Sequence, residues 1–244
     1  QPITGIRQAV FAGSNDSLAN TITVATGLNS ARADILWQYE GDVPPSELAC
    51  QIAGAQALKE LSFDVTSLNL NGYGKDDTSS PFWNIPVPRT GNGITRAQQA
   101  AALNNGISPV VKVSSTQTAL LAHITTKYSP DYGIRPAHKR SICDRFVDDC
   151  EITINKQLAG KVIGDDLKQG QKPIPGVAYA LNLKAILQKK VTEYGESGLL
   201  QDVAATKATI VVLRETADPQ RFSSRTQLKP VDLLDRTANV FDQL

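Results

Sequence analysis

GISPVVKVSSTQTALLAHITTKY, residues 106–128 of the chain, contains two runs rich in β-branched and apolar side chains. VVKV covers residues 110–113, ALLAHITTKY covers residues 119–128, and the polar segment SSTQT lies between them. Runs of this kind, bounded by polar turn residues, are typical of β-strands. We therefore predict a β-hairpin or two strands of one sheet, at a point that divides two differently built halves.

The half before this stretch alternates between helical and strand patterns. Residues 17–28 have apolar side chains at helical spacing, residues 33–39 form an apolar run of strand length, and a second helix is predicted to open at Pro44-Pro45. This succession favours an α/β layer in which helices cover a partly parallel sheet. The predicted apolar stripes are Leu18, Ile22, Ala25 and Leu28 in the first helix, and Leu48, Ile52, Ala55 and Leu58 in the second.

Between this layer and residue 106 the pattern breaks and then resumes. Residues 62–93 are rich in Gly, Pro, Asn, Asp and Ser, which predicts a long surface excursion. Thr95 and Gln98 have the spacing of a capping box, so a helix should follow through Leu103. Asn105 and Gly106 would end it, because both residue types accept the left-handed conformation of a helix terminus.

The half after Tyr128 is predicted to contain two helices followed by a strand. Residues 138–158 and 177–194 have amphipathic patterns that predict two helices, and Gly195 is predicted to cap the second. Residues 207–213 (KATIVVL) predict a strand, and the tail from Phe222 is predicted to add one or two more strands. The turn-rich segment SPDYGIRP, residues 129–136, is the predicted boundary between the halves. The helical stripes are Ile142, Phe146, Cys150 and Ile154, and then Ala180, Leu183, Leu187, Val191 and Tyr194.

Composition narrows the functional classes. The chain has 244 residues and a formal net charge of +1, so it lacks the basic excess expected of a nucleic-acid-binding protein. No apolar run approaches the roughly 20 residues that cross a bilayer. Cys50, Cys143 and Cys150 show no C-x-x-C spacing, and we expect buried reduced thiols. Methionine is absent, even at position 1, which indicates a fragment or methionines lost from the sequence as a modified residue.

The two histidines do not suggest a catalytic site. His123 falls in the middle of the predicted strand ALLAHITTKY, where we expect a packed, hydrogen-bonded side chain. His138 falls in RPAHKR, where we expect an exposed basic patch. No G-x-S-x-G elbow is present to expose a nucleophilic serine. An α/β hydrolase would be favoured only if Asp34, His123 and a serine met in one cleft.

Other chemical motifs are equally weak. GYGKDD, residues 72–77, lacks the G-x-x-x-x-G-K-[ST] pattern of a phosphate loop and reads as an ordinary loop. Asp148, Asp149, Glu151, Asp165 and Asp166 have no EF-hand spacing, so charged helix faces and turns explain them. We therefore predict no catalytic residue, no metal ligand and no cofactor.

Three segments together resemble the tail sheath proteins of contractile phage tails, particularly the Mu-like type. Residues 28–57 resemble the family's helix–strand–helix unit, in which an N-x-x-R turn leads to a strand and a Pro-rich helix entry. NNGISPVVKV followed by ALLAHITTKY resembles its "LL-x-x-GI…V…R-x-I-T-T-Y" segment, with His123 where an arginine often stands. Residues 191–244 resemble its terminal module, which has a D-P-x-R-x turn and a final "P-x-D-L" segment.

This resemblance implies a non-enzymatic structural subunit. Its copies would stack as rings around a tail tube and contract, which drives the tube through the bacterial envelope. The implied fold is α/β (α+β), with helices packed on mixed sheets in two modules: residues 1–128, a protease-like α/β sandwich without a catalytic triad, and residues 129–244, a C-terminal sheath domain with an arm. Family members are longer, so we expect an N-terminal arm and an outer domain to be missing.

The implied partners are other sheath subunits in a helical stack of rings and the tail tube protein, with no nucleic acid and no membrane insertion. Such a protein is assembled in the host bacterial cytoplasm and resides in the virion tail. In this family, terminal arms add strands to neighbouring subunits. An ordinary final strand packed on its own domain is an equal alternative for the tail. For the whole chain, the runner-up to a sheath subunit is an α/β hydrolase-like enzyme, and a tail tube or baseplate component is the third alternative. The candidate interface residues are Leu228, Val231, Leu233, Leu234, Val240, Phe241 and Leu244.

Overall fold

The computed structural model describes residues 8–62, 70, 72–73, 85–87, 93–112, 115, 118–128, 136–168 and 170–232. The chain divides into two compact units, Gln1–Ser141 with Asp232–Leu244, and Ile142–Val231. The predicted pair of modules, residues 1–128 and 129–244, stays a prediction.

A five-stranded mixed sheet forms the centre of the first unit. Its strands stand in the order β1-β2-β4-β5-β3, with β1, β2 and β4 parallel and β4, β5 and β3 antiparallel. Among the described residues, three helices accompany it. The elements are β1 Val10–Ser14, α1 Leu18–Leu28, β2 Ala33–Trp37, α2 Pro45–Ser62, β3 Gly72–Tyr73, α3 Arg96–Asn104, β4 Ser108–Lys112 and β5 Thr118–Leu120.

Strand β2 is buried along its whole length because it carries a core on each face. Side chains alternate between the two faces of a strand. Ile35 and Trp37 therefore join residues of α1 and α3 on one side, such as Ala25 and Ala102. Leu36 joins the α2 side, where the core cluster contains Val43, Leu48, Ile52, Ala55, Leu70, Ile85, Val110 and Leu120. The predicted layer of helices on a partly parallel sheet is confirmed, and so is the mixed α/β fold class.

The stretch at residues 106–128 forms the predicted strand pair. Strands β4 and β5 are antiparallel, with Val110 opposite Leu120, Val111 opposite Ala119 and Lys112 opposite Thr118. The second strand covers only Thr118–Leu120, so it is shorter than predicted. His123 is consequently not in the middle of a strand. It precedes two isolated bridges, in which Thr125 pairs with Asp34 and Ile124 pairs with Pro136.

Helix α3 has the predicted ends. Thr95 Oγ1 accepts from the N–H of Gln98, and Gln98 Oε1 accepts from the N–H of Thr95, which completes the capping box. Asn105 caps the other end, and Gly106 follows at a φ of 76°. A helix terminus in that left-handed region is where glycine is favoured.

The second unit contains three helices and two small sheets. The unit division falls inside α4 Ala137–Leu158, which is followed by β6 Val162–Ile163, β7 Val177–Ala178, α5 Ala180–Glu196, α6 Val203–Ala208, β8 Val211–Arg214 and β9 Phe222–Arg225. Strands β6 and β7 are parallel, and β8 and β9 are antiparallel. The predicted stripe of α5 is buried, from Ala180 to Tyr194, as are Ile142, Phe146 and Cys150 of α4.

Several boundary predictions are wrong for identifiable reasons. Val177 belongs to β7 rather than to a helix, and Gly195 lies inside α5, which is capped by Ser197. Residues 207 and 208 end helix α6, so the strand predicted from Lys207 begins only at Val211. In the predicted surface excursion, Leu70 and Ile85 are buried in the α2-side core. Leu58 is 63% exposed, because the apolar stripe of α2 ends at Ala55.

Candidate functional site

A buried cluster of ionisable side chains in the first unit contains Asp34, His123 and Arg140. Arg140 donates from Nη1 to Asp34 Oδ1 at 2.9 Å and from Nη2 to Asp34 Oδ2 at 2.8 Å. His123 Nε2 lies 3.2 Å from Asp34 Oδ2. An ionised carboxylate only accepts hydrogen bonds, so this nitrogen carries the hydrogen. The side chains of Asp34 and His123 are 0% and 4% exposed.

Three segments bring these groups together. Asp34 is on the central strand β2, and Arg140 is in the first turn of α4. The segment after β5 is held beside β2 by the N–H of Thr126, which donates to Ala33 O at 2.8 Å. His123 O in turn accepts from the N–H of Ala137 at the start of α4. His123 is thus placed between β2 and the beginning of α4.

The electrostatics favour an ionised Asp34. Burial acts to raise the pKa of this carboxyl, but the His123 hydrogen bond and the nearby His123 and Arg140 charges outweigh burial and hold the pKa below its ordinary value. Arg140 also donates to Ala31 O at 3.3 Å and lies over the Phe11 ring, 5.9 Å from its centroid. These contacts are what a buried charge requires in order to remain charged.

An Asp–His pair is a part of hydrolase triads, so the arrangement of serines near it matters. Ser108 Oγ is engaged by the backbone of Ile124, accepting from its N–H at 3.0 Å and donating to its O at 3.1 Å. Ser141 Oγ donates to Glu60 Oε1 at 2.7 Å. The cleft predicted for a hydrolase would need Asp34, His123 and a serine, and the contacts described here bring two of the three together. The burial of Asp34 and His123 and the two hydrogen bonds from Arg140 to Asp34 fit a structural ion-pair cluster.

The sequence did not predict Arg140 as a partner, although one signal was available. ADILW is an apolar strand that contains a single carboxylate, and a buried carboxylate needs a charged or hydrogen-bonding partner. That signal calls for a cation but does not identify it, because Arg140 lies 106 positions away along the chain. The partners of Gln56 were not predicted from the sequence either. Its Nε2 donates to Glu60 Oε1 and to Ser141 Oγ, at 2.6 Å in both cases.

The remaining histidine and the cysteines only partly follow the predictions. His138 is 5% exposed at the start of α4, so the predicted exposed basic patch is wrong. It lies on the side of the first helical turn that packs inward, which a single turn of sequence does not reveal. All three cysteines are free thiols. Cys50 is exposed, contrary to the expectation, whereas Cys150 is buried and its pKa is raised to about 12 by that burial.

Two of the acidic residues considered as metal ligands make other contacts. Asp149 Oδ2 accepts from the Tyr194 hydroxyl at 2.7 Å, beside an edge-to-face contact between Tyr194 and Phe146. Asp165 pairs with Arg214. Within the ranges that the structure describes, no group of three or more His, Cys, Asp and Glu side chains could hold a metal ion.

Two of the seven candidate interface residues lie in the described part of the chain. Leu228 and Val231 are half-buried. The N–H of Val231 donates to Leu199 O at 3.1 Å, and the N–H of Gln201 donates to Lys229 O at 2.8 Å, around an antiparallel bridge between Leu200 and Pro230. Leu233, Leu234, Val240, Phe241 and Leu244 lie outside the described residues.

Comparison with known proteins gives a likeness to solved structures and none to a family model or a curated protein. The sheath tail protein from Desulfitobacterium hafniense has a solved structure similar to this one, with a TM-score of 0.49 and 12% sequence identity. The matched region covers 89% of this chain and 55% of the Desulfitobacterium chain, so this chain spans about half the length of that protein. Among the described helices, none has the length and apolarity needed to span a membrane.

Proposed function

We propose that this chain is a structural subunit of a contractile tail sheath of the Mu-like type. Its copies polymerise as stacked rings around a tail tube, and contraction of the stack drives the tube through the bacterial envelope. The partners are other copies of the chain and the tube protein, and assembly takes place in the host bacterial cytoplasm before the subunits reside in the virion tail. The chain works by assembly and carries no catalytic residue.

One observation carries the proposal. The terminal module that resembles the sheath family consists of residues far apart in sequence, and the structure pairs two of its parts. Leu199, Leu200 and Gln201 follow α5, while Lys229, Pro230 and Val231 begin the final "P-x-D-L" segment, and their backbones are hydrogen-bonded. This pairing supports the interpretation of residues 191–232 as one structural module.

The chemistry of this terminal segment suits exchange between subunits. Backbone hydrogen bonds supply affinity in strand addition, and alternating side chains supply the register. Residues 222–244 alternate apolar side chains with Lys229, Asp232, Asp235 and Arg236. The pairing at Leu200 and Pro230 is a single bridge, which is a short ladder for holding an extended segment. A neighbouring sheet edge would extend this ladder.

Electron microscopy of the full-length gene product tests this proposal. Purified protein at high concentration is expected to form tubes or stacks of rings with a central bore. Addition of a cognate tube protein should yield filled tubes. A full-length product that stays strictly monomeric at high concentration would contradict the sheath function.

The Asp34–His123 contact is the one observation that favours a hydrolase as a second candidate. The structural reading predicts that the chain does not hydrolyse activated esters above the rate of a His123→Ala variant. The p-nitrophenyl acetate assay measures this directly. Activity in the wild type that the variant lacks would favour the enzyme over the sheath subunit.

A further inference from the structure

An asparagine–glycine pair, Asn105–Gly106, joins α3 to β4. In such a pair the backbone nitrogen of the glycine attacks the side-chain carbon Cγ of the asparagine, because glycine has no Cβ to hinder the approach and its backbone rotates freely. The new C–N bond closes a succinimide ring, the Cγ–Nδ2 bond breaks, and Nδ2 leaves as ammonia with the proton of the attacking N–H. Water then opens the ring at either carbonyl, which yields aspartate or isoaspartate.

Both reacting groups are engaged by the last turn of α3. Asn105 Nδ2 donates to Ala101 O at 2.8 Å. The N–H of Gly106 donates to Leu103 O at 3.2 Å. Ring closure has to bring the Gly106 nitrogen onto Asn105 Cγ and to release Nδ2, so it breaks both hydrogen bonds. The closed helix terminus therefore opposes the reaction.

The surroundings of Gly106 oppose it as well. Gly106 and the following Ile107 are buried. A Cβ placed on Gly106 would lie 2.7 Å from Thr126 Cα, so the backbone of Thr126 passes directly against the glycine. That backbone is itself held, since the N–H of Thr126 donates to Ala33 O on β2 at 2.8 Å. Ring closure therefore needs the α3–β4 junction to separate from the segment after β5, which is a local opening of the fold.

We propose that Asn105–Gly106 is a deamidation site that reacts only when the α3–β4 junction is open, so that the modified chain records how often the first unit opens. The reaction consumes water and needs no other reactant. When opening and closing are fast compared with ring closure, the rate follows the population of the open form. The inference is independent of the sheath function, because it concerns the fold of the first unit alone.

The product does not fit the closed junction. An aspartate or isoaspartate at this position carries a carboxylate, which only accepts hydrogen bonds, and Ala101 O is an acceptor too. Isoaspartate in addition inserts a methylene group into the main chain between α3 and β4. Chains that have reacted should therefore open more readily than unreacted chains, so each opening that ends in deamidation favours the next.

Peptide mass spectrometry, combined with labelling by an isoaspartyl methyltransferase, tests the proposal on the whole chain. The protein is incubated at mildly alkaline pH in buffer and in denaturing guanidinium chloride. In buffer, Asn105 should react at least about tenfold more slowly than in denaturant, because only the open form reacts. A synthetic peptide of residues 101–110 should react at similar rates in both solvents, which corrects for effects of the denaturant on the chemistry. Equal rates at Asn105 of the protein in the two solvents would overturn the inference.

The chain offers sequence-matched controls for the denatured state. Asn71–Gly72 and Asn92–Gly93 are its other asparagine–glycine pairs. In denaturant all three pairs should deamidate at similar rates, since none is then held by the fold. A rate at Asn105 that stays far below the other two in denaturant would assign the slow reaction to the local sequence and would contradict protection by the junction.

A variant separates protection by the fold from the intrinsic rate. Arg140 binds Asp34, and Asp34 forms the bridge to Thr125 in the segment that covers the junction. Arg140→Met should therefore speed deamidation of Asn105 several-fold in buffer and leave the rate in denaturant unchanged. Arg221→Met, which removes an exposed arginine of the second unit, should change neither rate. A folded Arg140→Met chain that reacts at the wild-type rate in buffer would overturn the inference.

A denaturant titration of the wild type gives the same comparison without a variant. The rate at Asn105 should rise in step with the loss of the circular dichroism signal, because both follow the population of open chains. A rate that stays constant through the unfolding transition would show that the α3–β4 junction does not protect the pair.

Discussion

At the scale of single residues, Arg140 holds the most consequential contact in the first unit. Its guanidinium binds both oxygens of the fully buried Asp34. Arg140→Met would leave that carboxylate buried with fewer donors, so we expect the free energy of unfolding to fall by about 3–5 kcal/mol. Urea denaturation followed by circular dichroism measures this loss.

The matched control for this substitution is Arg221→Met. Arg221 is 64% exposed and lies 3.7 Å from Glu215, and exposed pairs contribute less than about 1 kcal/mol. The double variant Asp34→Leu/Arg140→Met, which removes both charges, should recover much of the stability. Equal losses in the two single Arg variants would mean that Arg140 does not neutralise Asp34.

The lowered pKa of Asp34 predicts how stability depends on pH. Because the pKa is lower in the folded chain, the unfolded chain takes up the proton first as the pH falls. The stabilisation is complete above the unfolded value of about 3.9 and is lost as the pH drops through the folded value. Asp34→Asn should therefore flatten the acid limb of a plot of unfolding free energy against pH.

Asp16→Asn is the comparison for the pH experiment. The pKa of Asp16 is also lowered, by hydrogen bonds from Asn20 and the backbone of Ser17, but this carboxyl is exposed. Solvent screens an exposed group, so its removal should flatten the acid limb less. An acid limb as steep in Asp34→Asn as in the wild type would show that Asp34 does not titrate differently on folding.

At the scale of the elements, periodic sequence patterns predicted helices and strands. Contacts between residues far apart in the chain could not be predicted in this way. The capping box at Thr95, the β4–β5 pair and the buried stripe of α5 are local or strictly periodic features, and all three are confirmed. The burial of His138 and the exposure of Cys50 depend on which face of a helix meets another element. One helix's sequence does not contain that information when its stripe is short.

The Asp34 cluster also combines one feature that the sequence shows with contacts that only the fold creates. Asp34 could have been recognised as needing a partner, but Arg140 and His123 reach it only through the fold, from 106 and 89 positions away. Two-residue strands such as β6 and β7 are invisible to periodicity, because a period needs several repeats. β7 therefore was absorbed into the helix predicted from Val177.

Gly106 is the element-scale test, because it joins α3 to β4. Its φ is 76°, and a Cβ placed there would lie 2.7 Å from Thr126 Cα and 2.9 Å from Thr125 O. Gly160, after α4, has a φ of 73° but nothing within 4 Å of such a Cβ. Gly106→Ala should lower the unfolding free energy by about 1–3 kcal/mol more than Gly160→Ala does. Equal losses in urea denaturation would show that the Thr125–Thr126 backbone yields without cost.

At the scale of the whole molecule, the proposed assembly depends on strand addition by the terminal segment. Strand addition uses backbone hydrogen bonds and apolar side chains, which salt screens far less than it screens exposed charges. Tubes formed in this way are therefore expected to persist as the salt concentration rises, which electron microscopy at low and high salt would measure.

The terminal segment gives the final prediction. Leu234→Asp/Phe241→Asp in the full-length product places charges on two candidate interface residues, and burying a charge against a neighbouring sheet is strongly unfavourable. We expect folded subunits with an unchanged circular dichroism spectrum that no longer form tubes in electron micrographs. Ile174→Asp/Leu181→Asp is the matched control, because these side chains are 62% and 66% exposed and lie outside the segment. Tubes of normal length from the terminal variant would show that residues 233–244 do not join neighbouring subunits, and the ordinary final strand would then be the better description.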